Sequence, residues 1–213
     1  MKSKLYKAGS IFVIYFVSSC LIHYLLLPEN EPSPDSFPRT GDTVVNPVAG
    51  ETIRFTKDRY TGEPSRVEIE VEIKASGSIP LAHVHSNMNE VFTGLAGATH
   101  LTHQENRHSL SPGEALQIQA GEAHLPFNPG PGIARVKVSM QPIGVFDLCL
   151  VNIHQFLATP LSEHSWLHTQ LQLARFASFC DVYRSDIPVW IQKVGLFAAT
   201  PTLRALGYRA WAE

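Results

Sequence analysis

Residues 77–97 read GSIPLAHVHSNMNEVFTGLAG. His83 and His85 stand one residue apart, and Glu90 follows five residues later. On an extended strand residues i and i+2 point to the same side, so the two imidazoles share a face, and Leu81 shares it with them. Glu90, beyond the SNMN turn, can return on the neighbouring strand. Imidazole nitrogen combined with carboxylate oxygen suits a first-row divalent ion. Three such groups make a site, and a fourth would have to come from elsewhere in a sheet.

The sequence around this stretch is strand-like. In SRVEIEVEIKA, Val67, Ile69, Val71 and Ile73 alternate with Glu68, Glu70, Glu72 and Lys74, which is the pattern of a strand with one buried and one wet face. Shorter runs of the same kind are ETIRFT, AHVH, EVFTGL, ATHLTH, ALQIQ and ARVKVSM, separated by Gly, Pro, Asn and Ser. Many short strands with turn residues between them predict a sandwich or barrel. There is no internal repeat, so a single barrel is expected.

The fourth ligand type appears in GEALQIQAGEAHLPFN, residues 113–128. Taken together, the two stretches resemble the cupin superfamily. Gly77, His83, His85, Glu90 and Gly97 match its first motif, G(X)5HXH(X)3-4E(X)6G. Gly113, Gly121, His124 and Asn128 match its second, G(X)5PXG(X)2H(X)3N, with Gln119 where the family usually has proline. The resemblance covers about residues 44–142 and implies one jelly-roll-like cupin barrel. It also implies that His83, His85, Glu90 and His124 converge as ligands of a divalent transition metal such as Fe, Mn, Ni or Zn. Gln119 is expected to loosen the turn before His124, because proline's fixed φ is lost. Gly97 and Gly121 are expected at tight turns. Two readings stay open: a metal-dependent enzyme similar to cupin dioxygenases and isomerases, or a non-catalytic module that binds or senses a small molecule. Phe92, Leu101 and Leu81 are the expected cavity wall.

The flanks extend this picture. The chain has 213 residues and a net charge of -2, which offers no basic field to a nucleic acid. Lys2, Lys4 and Lys7 precede an apolar stretch over residues 9–27, and Glu29, Glu31 and Asp35 follow it. That pattern predicts a membrane anchor with the barrel on the non-cytoplasmic side. A lipoprotein modified at Cys20 and a cleaved signal remain alternatives. Residues 28–43 read as a proline-rich linker. Residues 143–213 read as a helical extension, with successive helices in FDLCLVNIHQFLAT, SEHSWLHTQLQLARFASFC, PVWIQKVGLFAA and TPTLRALGY. Its aromatic residues suit packing on the barrel, a homodimer contact or a membrane surface. Outside the cytoplasm, Cys149 and Cys180 are candidates to pair. His103 is a second candidate for the cavity or a surface residue, His100 and His108 read as solvated, and His164 with His168 could clip a metal four residues apart. Asn128 is either a donor supporting the ligands or a turn former.

Overall fold

The computed structural model describes residues 2–63, 65–78, 82–159 and 163–211, so Leu81 lies outside the described residues. Ten strands precede the helical tail: Thr43–Asn46 (β1), Glu51–Lys57 (β2), Val67–Ile73 (β3), His83–Val84 (β4), Asn89–Ala96 (β5), Thr99–His103 (β6), Asn106–Leu110 (β7), Ala115–Ile118 (β8), His124–Phe127 (β9) and Ala134–Gln141 (β10). An eleventh, Tyr183–Arg184 (β11), comes from the tail. The sheets run β1-β2-β3-β10-β5-β8 and β11-β4-β9-β6-β7. The alternation read in β3 holds: Val67, Ile69, Val71 and Ile73 face inward. Phe55, Leu101, Ile118, Val136 and Met140 complete the apolar layer between the sheets, and each is almost wholly removed from water. Mainly β with C-terminal helices is therefore the architecture, as the residues predict.

The helices are Lys2–Leu21 (α1), Phe146–Leu157 (α2), Trp166–Ala177 (α3) and Val189–Ala205 (α4). The expected transmembrane helix does not appear. Among the described residues, no helix is long and apolar enough to cross a membrane. The α-helical part ends at Leu21, and Ile22–Leu26 form a wide π turn. That turn directs two polar side chains onto α4: Tyr24 Oη donates to the Phe197 carbonyl at 2.8 Å, and His23 Nδ1 lies 3.1 Å from an Arg204 guanidinium nitrogen.

The tail corrects the sequence reading in two places. It is not wholly helical, because β11 pairs with β4, setting Arg184 opposite His83 and Tyr183 opposite Val84. The last two expected helices are one, α4, which runs through Pro201. Proline at that position removes the N–H that would bond to the carbonyl of Phe197 four residues earlier. That same carbonyl accepts from Tyr24 Oη. The bond lost inside the helix is replaced from the N-terminal segment, which is why Pro201 does not end the helix.

α2 lies across the barrel. Its first turn is pinned by Arg59, whose guanidinium reaches both carboxylate oxygens of the fully buried Asp147 and, at 2.7 Å, the carbonyl of Gly144. Cys149 of α2 is disulfide-bonded to Cys180, just after α3. Of the tail aromatics, Phe176 joins the core, while Trp166 and Trp190 face outward.

Candidate metal centre

The four sequence-predicted residues come together. His83 on β4 sits directly opposite His124 on β9, within one sheet. Glu90 enters from β5 of the other sheet, opposite Ile118 and Met140. His85 follows β4. One ligand atom from each of the four lies within 4.8 Å of the others. All four are close to fully buried, with His83 the least so.

The backbone fixes which ring nitrogens face inward. His85 Nδ1 is 2.5 Å from the carbonyl oxygen of Asp181, and His124 Nδ1 is 3.2 Å from that of Glu122. A carbonyl can only accept, so both Nδ1 atoms carry the proton and both Nε2 atoms present a bare lone pair to the interior. Glu90 Oε2 lies 2.7 Å from His124 Nε2 and 3.7 Å from His85 Nε2. The short approach is not aligned as a hydrogen bond, and all three atoms are buried without a hydrogen-bond partner. Lone pairs gathered around one point, with no donor among them, fit a cation and are costly otherwise.

Charge follows the same geometry. Burial, the largest influence, raises the Glu90 carboxyl, but His85, His124 and His83 outweigh it and hold it at about 2. Burial keeps the His85 imidazole below its usual range. Burial also pushes His124 down, but Glu90 beside it prevails and leaves it raised. Below that raised value a proton competes with the cation for His124 Nε2, and above it the lone pair is free. Apparent metal affinity should fall as pH drops through the raised His124 value, while Glu90 remains ionised. Glu90 itself stabilises the fold above the ordinary carboxylate value of 4.5, a contribution lost as pH falls toward 2. Calorimetric titration of metal at pH 6 in two buffers of different ionisation enthalpy should report proton release, and identical heats in both would contradict this assignment.

The turn before His124 is not loosened by Gln119. The Gln119 N–H, which proline would lack, donates at 2.8 Å to Glu122 Oε2, and the Gly121 N–H donates at 2.7 Å to the His85 carbonyl. Gly121 has φ +89° and Gly97 φ +65°, the left-handed conformations expected of them. At Gly97 a Cβ would also stand 2.8 Å from the Ile133 carbonyl oxygen.

The remaining candidates divide. His103 bonds Glu122 at 2.9 Å, and neither it nor Leu101 lines the cavity described next. His164 and His168 lie side by side, with ring centroids 5.2 Å apart and Phe156 against them, but among the described residues they form no metal-ligating group of three. Asn128 is a turn former: its amide donates to the carbonyls of Ile73, Lys74 and Gly132. The sequence reading missed Asp181, Glu122, Phe146, Glu51 and His154. Phe146 stands edge-on against His85 with ring centroids 4.5 Å apart. A cavity of about 50 Å³ extends from Glu90 and His83 past Phe92, Val138 and Phe146 to Glu51 and His154.

Residues 69–140 match the family model of the cupin domain. The match covers about a third of the chain and contains all four clustered residues. Among curated proteins none matches. Solved structures that the chain is similar to include a sugar phosphate isomerase from a cupin superfamily of Silicibacter pomeroyi DSS-3, with 21% identity, TM-score 0.41, and 52% of this chain and 74% of that one covered. The polyketide cyclase RemF from Streptomyces resistomycificus has 22% identity, TM-score 0.39, and coverage of 53% and 79%. KdgF from Halomonas sp. has 17% identity, TM-score 0.38, and coverage of 44% and 81%. At such values they bear on neither substrate nor reaction.

Proposed function

We propose that this chain binds a divalent transition ion (Fe, Mn, Ni or Zn) through His83, His85, Glu90 and His124, and acts on a small organic molecule as a metal-dependent enzyme of the dioxygenase or isomerase type. The observation that carries the metal reading is the set of orphaned atoms: His85 Nε2, His124 Nε2 and Glu90 Oε2, buried together without a donor. When bound, the ion supplies Lewis acidity. The protein's part is to hold, aim and dry the site. The carbonyls of Asp181 and Glu122 fix the tautomers and directions of His85 and His124. Phe92, Val138 and Met140 exclude water from the open side. One carboxylate and three neutral imidazoles leave a divalent ion with a net positive charge, so an anionic oxygen is the favoured ligand atom.

A binding module without turnover is the second reading, favoured by the small volume of the cavity against α2. The two separate in one experiment. The metal-loaded full chain is screened for O2 consumption and for conversion of enols, catechols, thiols and sugars, beside Glu90→Gln. Turnover that disappears in Glu90→Gln supports the enzyme. A stoichiometric co-purifying metabolite with no turnover anywhere in the panel supports the module.

A non-cytoplasmic location is part of the proposal. It is supported by the Cys149–Cys180 disulfide, since such bonds persist in oxidising compartments. A reporter active only in the periplasm, fused after Asp42, should be active. A strong signal from a cytoplasm-specific reporter at the same position would refute the assignment.

A further inference from the structure

The barrel cavity has a second polar end. Glu51, at the start of β2, and His154, in the last turn of α2, are both buried, and both line the cavity that His83 and Glu90 line. His154 Nδ1 lies 2.9 Å from the Leu150 carbonyl oxygen, so that nitrogen carries a proton. Its Nε2 lies 3.1 Å from Glu51 Oε2, so one further proton is shared between them. Glu51 Oε1 is buried with no hydrogen-bond partner among the described residues. An acceptor left bare in an apolar space normally costs stability unless something donates to it.

The geometry also gives a length. Phe146, Leu150 and His154 follow one another at four-residue intervals along α2, and all three line the cavity. Phe146 stands at the metal end, against His85. Eight residues of helix separate it from His154, which is about 12 Å at 1.5 Å per residue. The walls between the two ends are Ile69, Val71, Val136 and Val138, all apolar. The open volume, about 50 Å³, holds only about three or four waters or a slim chain.

We infer that Glu51, held by His154, accepts a hydrogen bond from the far end of the ligand, so that the barrel selects a slim, largely apolar molecule with an anionic metal-binding head and a hydroxyl or amine tail. The assignment of the head rests on the metal reading, while that of the tail rests on Glu51 and His154 alone.

The test uses the full chain loaded with Zn2+ and two series of probes by calorimetry: ω-hydroxyalkanoates of four to ten carbons, and alkanoates with methyl in place of the hydroxyl. The hydroxy acid should bind at least tenfold tighter at one intermediate length. Glu51→Leu combined with His154→Leu should retain metal affinity and reverse that preference. It should also be at least as heat-stable as the parent, since exchanging both members of a buried pair for apolar residues is commonly neutral or stabilising. Glu51→Gln, which keeps an acceptor, should retain part of the preference and serves if the double variant does not fold. Chelating the metal should weaken both series alike and leave their ratio unchanged, so failure of the metal site and failure of the Glu51 assignment are distinguishable. Equal or tighter binding of the methyl series, or a hydroxyl preference that survives the double variant, would each overturn the assignment.

Discussion

Zinc, manganese, nickel or iron, at about 100 times its dissociation constant, should raise the melting temperature of this protein by about 5–11 °C. The figure follows from linkage: a ligand at that excess adds about 2.7 kcal/mol, and for a chain of this size each kcal/mol moves the midpoint by about 2–4 °C. The physical source is local. His85 Nε2, His124 Nε2 and Glu90 Oε2 are held at close range by backbone they do not choose, with nothing to donate to them. Filling that point with positive charge relieves the mutual repulsion of the lone pairs. EDTA should reverse the shift. The His83→Ala/His124→Ala variant should fold yet show no response, because only one imidazole and the carboxylate remain. An unaltered midpoint across all four metals with the parent protein would remove the basis for any metal-centred function.

Breaking the Cys149–Cys180 link should have an effect of comparable size, and it should be felt at the metal. The two cysteines are separated by 31 positions in sequence. Closing a loop of that size contributes about 3–4 kcal/mol in the chain-entropy account. Cys149→Ser with Cys180→Ser should lower the free energy of urea unfolding by that order. Asp181 is the next residue. Its carbonyl receives the His85 Nδ1 proton, and its carboxylate receives Ser86 Oγ at 2.5 Å and the Asn87 N–H at 2.7 Å. Loosening position 180 therefore loosens the acceptor that aims a ligand imidazole. Disturbing such a partner typically costs 10–100-fold in metal affinity. A titration that gives parent-like affinity in the double serine variant would show that the Asp181 carboxylate alone holds the carbonyl in place.

The four clustered residues were legible in the sequence: His83, His85 and Glu90 through their local spacing, and His124 through the resemblance of two motifs to one family. His83 and His85 sit two apart, Glu90 one turn later, and His124 two residues after the tail of a tight glycine turn. The barrel was legible because β3 states its two faces openly. What could not be read is whatever depends on long-range approach. Asp181 is 96 positions from His85, and Glu51 is 103 from His154. Neither pair carries a local pattern. Gln119 misled for a related reason: its compensation, a bond from its own N–H to Glu122, exists only once the turn has closed. The two helices expected on either side of Ala199 and Thr200 are one for a related reason, since the Phe197 carbonyl that Pro201 leaves free accepts from Tyr24, 173 positions away.

The way the tail grips the barrel bears on how the protein can be cut and handled. The family-matched segment, residues 69–140, contains every proposed ligand and yet is not a self-sufficient part. A fragment trimmed to it loses β1 and β2, the arginine that seats α2, the helix that caps the cavity, and the carbonyl that orients His85. It also opens an edge, because β4 would lose β11, its neighbour in the sheet. Such a fragment would be expected to clump, and any weak metal uptake would describe the cut rather than the protein. The smallest piece worth expressing runs from the 3-10 turn at Pro34–Ser36 through Trp211, with the N-terminal segment kept wherever α4 is to stay intact.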